Sequence, residues 1–346
     1  MKKLSVFAIL LTLAVSCKKE TKTVTKVDPE TGKTVQVEVP VEEKDLIAIT
    51  DSAGIYKQTF LLEKGKTYPF ISSQKDVTKI TAPNGQSQSV TSESTDEVTF
   101  TVDGITNDVY DITINFIGKK ATQSGGGKSV SVDTRTAAPK DEGLKNKWTM
   151  DKALTGNTLK MKMSKAGKII SITGFDPIYA KVNTALGQLT KDAKMKTELL
   201  AETKKGFNEQ VLKDQFSKNI MVLPEKGAKI GEKWSHSENA SADGKIKLTS
   251  NYTLKSVENG IVEISVQGGI PKQADKQTQN GVTHSMSSVL NQNGTIKYDQ
   301  NSGWINNQNI TVKTTQTEAM TDGKQSQSMS SETTSNIIVN PVVATK

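Results

Sequence analysis

Phe100-Thr-Val-Asp-Gly-Ile-Thr-Asn-Asp-Val-Tyr-Asp-Ile-Thr-Ile114 decides the fold. Val98 to Val102 and Val109 to Phe116 each alternate apolar and polar residues. Apolar side chains at every second position put one strand face in a core and the other in water. A connection opening at Asp103-Gly104 and closing at Asn107-Asp108 joins the two runs. The segment predicts an antiparallel hairpin with one wet face.

The same pattern returns, without a gap, as Tyr252-Thr-Leu-Lys-Ser-Val-Glu-Asn-Gly-Ile-Val-Glu-Ile-Ser-Val266. Aromatic meets aromatic at Phe100 and Tyr252, Asn107 meets Asn259, and Ile112 meets Ile264. Upstream, Lys64-Gly65-Lys66-Thr67-Tyr68 resembles Ile230-Gly231-Glu232-Lys233-Trp234. Downstream, Ala166-Gly167-Lys168-Ile169 resembles Asn293-Gly294-Thr295-Ile296. The conserved order of three matches points to a duplicated β module, although unrelated hairpins also share such patterns.

Between the modules the period changes. Val182, Leu186, Leu189, Ala193, Leu199, Leu200, Val211, Leu212 and Phe216 recur largely at steps of three and four, so residues 176–223 are expected to be helical. Asp176-Pro177 is expected to cap the start, and Gly206 to break the segment into two helices. The stripe reads as packing against the sheet. Gly125 to Gly127 and Thr134 to Asp141 read as flexible loops, Thr314 to Asn336 as a long exposed hairpin, and Ile337 to Val339 as a closing strand. The fold class is mainly β with a helical insert: two antiparallel modules, residues 55–175 and 224–346, packed as a curved sheet or half-barrel, or as a sandwich.

Of the 346 residues, 34% are hydrophobic, below the ~45–50% common in globular domains, so the core is thin. One cysteine excludes an internal disulfide and multi-cysteine metal centres, and two histidines leave little for a histidine-based one.

That cysteine follows Leu13-Ala14-Val15-Ser16, behind Lys2, Lys3 and an apolar run from Leu4 to Leu13. The segment has the design of a secretory signal peptide and is too short for a membrane span. Leu13 to Cys17 resembles the lipobox of bacterial lipoproteins. The resemblance implies cleavage between Ser16 and Cys17 and diacylglycerol on the Cys17 sulfur; otherwise Cys17 is incidental within a cleaved signal. Two or three acyl chains hold a protein on a bilayer where one is marginal, at ~0.8 kcal/mol per buried methylene. Cleavage also removes Lys2 and Lys3, so the net charge falls from +8 to +6. Lys18-Lys19-Glu20 resembles in part the surface-export signal of Bacteroidota lipoproteins, or is simply a solvated tether. Residues 17–54 read as the lipidated cysteine and a flexible tether, although Thr34 to Val39 has a strand pattern. Asp51-Ser52-Ala53 resembles the short Bacteroidota O-glycosylation signal, which marks Ser52.

Leu62-Glu-Lys-Gly-Lys-Thr-Tyr68 and Pro224-Glu-Lys-Gly-Ala-Lys-Ile-Gly-Glu-Lys-Trp234, together with the lipobox, resemble a family of uncharacterised Bacteroidota outer-membrane lipoproteins. The resemblance covers most of residues 55–315. It implies compartment and architecture, an exported outer-membrane protein facing the periplasm or the surface, and no chemistry.

Residues arranged for chemistry are few. Ser235-His236-Ser237 sets a base beside hydroxyls, but strand neighbours point to opposite faces, and no Gly-x-Ser-x-Gly elbow accompanies them. His284 lies in an equally polar context. Asp108 and Asp111 are expected to be solvated at a turn. Gly127-Lys128-Ser129 runs into a strand rather than a helix, so it lacks the donors of a phosphate loop. Basic residues are interspersed with acids and lack interleaved aromatics, which argues against nucleic acid. No catalytic residue, cofactor or metal ligand is expected. Two roles remain: a non-catalytic binding or structural lipoprotein whose partner is an envelope protein or glycan, or a half-barrel carrier of a lipid or other apolar ligand. Leu186, Leu189, Leu199 and Leu200 beside a one-sided sheet support the carrier, which requires an apolar pocket of several hundred cubic ångströms or more, roughly.

Cys17→Ser is expected to move the protein from the membrane fraction to the soluble fraction; persistent membrane fractionation would rule out acylation there.

Overall fold

The computed structural model describes residues 21–27, 34–40, 47–241 and 243–341. Cys17, Ser16 and the signal segment lie outside them. The chain divides into two units, Met1–Leu46 and Ile47–Lys346. In the first, β1 (Thr21–Val27) pairs antiparallel with β2 (Thr34–Pro40). The strand pattern at Thr34 is therefore realised as a hairpin within the expected tether.

The second unit begins with a small hairpin of β3 (Ile49–Ser52) and β4 (Ile55–Gln58). Then follow β5 (Thr67–Thr81), β6 (Ser87–Thr106), β7 (Val109–Gly125), β8 (Lys128–Asp133), α1 (Glu142–Leu154), β9 (Asn157–Ser164) and β10 (Ile169–Thr173). Three helices come next: α2 (Phe175–Leu189), α3 (Ala193–Gly206) and α4 (Glu209–Ile220). The chain closes with β11 (Lys233–Asn239), β12 (Lys247–Glu258), β13 (Ile261–Gln279), β14 (Val282–Asp299), β15 (Ile305–Thr321) and β16 (Ser326–Val339). Twelve of these strands form one curved, unclosed antiparallel sheet in the order β10-β9-β7-β6-β5-β16-β15-β14-β13-β12-β11, with β8 on β7. Both β sets belong to this one sheet, so the sandwich alternative is not what forms.

The Phe100–Ile114 and Tyr252–Val266 hairpins share a register. Phe100 faces Ile114 and Val102 faces Ile112; a bulge follows, and Gly104 faces Asp111. Tyr252 faces Val266 and Leu254 faces Ile264; a bulge follows, and Ser256 faces Glu263. Both turns are two residues with positive φ, Asn107-Asp108 at 51° and 59° and Asn259-Gly260 at 53° and 75°, a geometry that matches the twist of paired strands. Tyr68 pairs with Phe100 as Trp234 pairs with Tyr252. Met161 pairs with Ile112 as Ile296 pairs with Ile264. The strand order β5-β6-β7-β9-β10 is matched by β11-β12-β13-β14-β15.

Several expectations change. Asp103 to Thr106 continue β6 past the bulge, so the connection shrinks to its two turn residues. In the downstream match, Ile169 corresponds to Ile305 rather than Ile296. Each of the two opens the fifth strand of its set and is followed by a bulge. Gly167 and Gly303 each donate 2.8 Å back across the preceding turn, to Ser164 and Asp299. The loop expected to end at Asp141 supplies the N-cap of α1, accepting from the Leu144 amide. The helical segment breaks twice, because Asp192 caps α3 in addition to the stop after Gly206. Gly174, at φ 101°, takes the N-cap of α2 and leaves Asp176 and Pro177 inside the first turn. α3 buries no residue, so Leu199 is exposed and only part of the stripe packs inward. Thr314 to Asn336 is a hairpin, but it lies mid-sheet with β14 on one side and β5 on the other.

The core lies between the sheet and α4. Leu212, Phe216 and Ile220 of α4 are buried. Phe216 meets Phe100 edge-on at 5.0 Å and Phe70 at 5.7 Å, and Trp304 lies 5.1 Å from Phe100. Such pairs add about 0.5–1.5 kcal/mol beyond area burial. Where β13 bends, Gly268 and Gly269 take φ 153° and 147°, and a Cβ on either would stand 2.0 Å from a carbonyl oxygen of the neighbouring strand.

Phe100, with no exposed surface, is the central ring of this cluster. Phe100→Ala is expected to cost about 3–5 kcal/mol in urea unfolding; a loss below about 1 kcal/mol would show that the ring carries little of the core.

Candidate functional site

Burial of side chains ends along one line across the sheet, at Phe70 on β5, Val98 on β6, Val266 on β13, Ile296 on β14, Gln308 on β15 and Val339 on β16. Beyond that line the same strands run on without a buried residue. The sheet therefore has a helix-covered half and an open half, and the two differ in chemistry.

In the covered half the space is largely filled. A cavity of 160 Å³ remains, floored by Phe70, Val98, Phe116, Phe207, Leu212 and Phe216. Its mouth is ionic: Lys119 pairs with Asp96, and Arg135 bridges Glu97 and Asp133 at 3.0 Å each. Gly118 leaves the room that the Arg135 side chain occupies, since a Cβ there would stand 3.1 Å from its Cδ. Bonding and charge from Arg135 hold the Asp133 carboxyl below the usual aspartate range. Deeper, burial pushes the Tyr298 phenol well up; its hydroxyl donates to the Asn219 carbonyl. Gln58 donates from one amide nitrogen to the carbonyls of Ile220 and Gly303, at 3.0 Å each, tying α4 to the turn before β15.

The open half is lined mainly by Ser, Thr, Gln, Asn and charged residues, with half-buried apolar side chains such as Ile80, Leu290 and Val312 among them. At its far end, a basin of 420 Å³ collects His284 and Met286 of β14, Met320 and Glu318 of β15, Met329 of β16 and Asp275 of β13. The sequence reading placed His284 among polar residues and did not single out the methionines.

The other candidates stand apart. Ser52 is exposed at the β3–β4 turn, where Asp51 accepts from the Gly54 amide at 2.6 Å. His236 is exposed on edge strand β11, while Ser235 turns the other way and donates to Asn251 at 2.7 Å. Asp108 pairs with Lys165 at 3.1 Å and Asp111 with Lys162 at 2.6 Å. Gly126-Gly127 makes the tight β7–β8 turn, with φ 57° and 75°. Leu186 is buried on α2, but Leu189 and Leu200 are half-buried and Leu199 is exposed, so the leucines do not enclose one chamber. Among the described residues no helix is long and apolar enough to cross a membrane.

Residues 107–305 match a family of unknown function, DUF6263. The match runs from the first hairpin turn to the start of β15. A comparison with curated proteins finds no match. Among solved structures, lipovitellin in a study of its lipid–protein interactions is 11% identical with a TM-score of 0.35. The alignment covers 83% of this chain and only 26% of lipovitellin. An outer membrane channel from Pseudomonas putida F1 is 8% identical with a TM-score of 0.18, over 84% of this chain and 99% of the channel.

Asp133 ionises more readily in the folded chain than in the unfolded one. Its pairing therefore stabilises above the ordinary aspartate range and is lost as pH falls through the lower folded value. In thermal melts below about pH 4, Asp133→Asn is expected to flatten the decline of Tm; an unchanged decline would assign acid sensitivity elsewhere.

Proposed function

Since this chain belongs to DUF6263, a family of unknown function, we propose its role from its own residues: an exported, membrane-anchored lipoprotein acting as a non-catalytic binding or structural module. Acylated Cys17 is the anchor and the segment before Ile47 the spacer, shorter than the expected 17–54 because Ala48 and Ile49 are buried in the folded unit. The open half of the sheet is the surface offered to an envelope protein or glycan. The outer membrane of a Bacteroidota cell is the compartment its signal and motifs fit best. The module arose by duplication of a five-strand unit, a reading supported by the shared registers, bulges and turns of the two strand sets.

One observation carries the choice between scaffold and carrier. Phe60, Phe70, Phe100, Phe216 and Trp304 fill the space between sheet and helices, and the cavity left there is 160 Å³. Pockets that take drug-sized ligands run to about 300–1,000 Å³. A filled core and a bare, polar outer sheet suit display of a surface better than transport of a lipid.

Native mass spectrometry of protein purified from membranes is the test. The expected mass is that of the acylated chain alone; a stoichiometric lipid in addition to the covalent acyl groups would replace this reading with the carrier.

A further inference from the structure

Three of the nine methionines of the chain meet in one place, the basin at the far end of the open sheet. Met286, Met320 and Met329 are 47%, 49% and 41% exposed, on strands otherwise filled with Ser, Thr and Gln. Their positions follow from register. Met320 lies directly across from His284, and its diagonal neighbours on the flanking strands are Met286 and Met329. Residues directly opposite in a sheet have Cβ atoms about 4.5–5.5 Å apart, and diagonal ones about 7–8 Å. A methionine side chain with three rotatable bonds spans that interval. Three thioethers and one imidazole can thus converge on a point above Met320 without movement of the backbone.

Donor type then selects the ligand. Thioether sulfur is soft and prefers Cu(I) over hard cations, and imidazole suits copper as well. The surroundings favour a cation. Asp275 faces Met286 on one side and Glu318 faces it on the other. Each carboxylate accepts from a glutamine, Gln277 at 3.2 Å and Gln316 at 3.4 Å. An apolar partner seated here would strip water from two carboxylates without compensation, which is costly. A bound cation would instead be stabilised by them. Gln316 donates to the Met286 sulfur at 3.5 Å, which shows that sulfur acting as an acceptor; a metal ion above Met320 would take the place of that bond.

We propose that His284, Met286, Met320 and Met329 form a site for a soft monovalent metal ion, Cu(I). Met320 is the central ligand, and Asp275 and Glu318 supply negative potential without touching the metal. The site lies on the open half of the sheet and does not depend on the membrane anchor.

Ag(I), which has the same preference for thioethers and does not change oxidation state, is the probe. Calorimetric titration of the full chain should give one Ag(I) per chain, with shifts of the methionine methyl and His284 imidazole NMR signals. Leucine has the shape to replace methionine at an exposed position. Met320→Leu should weaken binding by at least the about 10–100-fold that loss of a ligand's support costs, and Met286→Leu with Met320→Leu should abolish it. Met195→Leu, at an exposed methionine of α3, should bind like the unaltered chain. His284→Gln should weaken Ag(I) without altering thermal unfolding. No uptake of Ag(I), equal uptake by the Met286→Leu, Met320→Leu variant, or tighter binding of Zn(II) than of Ag(I) would each overturn the proposal.

Discussion

The sheet depends on one junction, the pairing of β5 with β16. Every other neighbouring pair along its main path joins strands close in sequence, whereas this one sets Ser72 against Val339 and Thr81 against Ser330. Without it the sheet would be two separate six-strand sheets, β16 remaining on β15 and β8 on β7, with two more edges between them. Asn340 fastens the seam. Held at φ 49°, it accepts from the Ile71 amide and donates to the carbonyls of Pro69 and Ile305. Trp304 donates to the same Pro69 carbonyl at 2.9 Å. One side chain thus satisfies backbone groups on β5 and at the start of β15.

The seam also aligns the two cores. With β5 and β15 two strands apart, Tyr68 and Phe100 from the first set meet Trp304 from the second, and α4 closes over Phe70 and Phe100 through Phe216. Helix α4 covers only the part of the sheet to which this cluster extends, while α1 packs apart from it on β7 and β8. Strands such as β14, at eighteen residues, outrun the helices above them, so an open half follows from strand length. Alternating Ser, Thr and Asn make that half stable in water, and the low apolar share of the chain is its signature.

How much of this was legible in the sequence differs by scale. Period-two alternation located the hairpin strands, and the correspondence of Tyr68 with Trp234 and of Phe100 with Tyr252 held at the level of individual pairs. Short matches failed where they lacked a partner strand: the residues around Gly294 imitate the turn at Gly167, but only cross-strand pairing identifies Gly303 as its equivalent. The break at Asp192 was hidden because a capping aspartate looks like any surface acid until its side chain meets the Lys194 and Met195 amides. The methionine basin was half visible. His284 and Met286 share a face by spacing alone, but Met320 and Met329 join them only through two strand registers that no local pattern fixes.

The seam has a kinetic side. Synthesis delivers β5 long before β16, and at about 5–20 residues per second the interval between them is on the order of tens of seconds. During that time β5 is an edge with its hydrogen-bonding groups free, the form most open to pairing with another chain. The outer part of β5 and its waiting partner are charged or hydroxyl-rich: Lys75, Asp76 and Lys79 on one, Ser328, Ser330 and Glu332 on the other. Such residues make a poor template for a foreign strand. The polar composition that thins the core thereby protects the longest-range pairing in the fold until its last strand arrives.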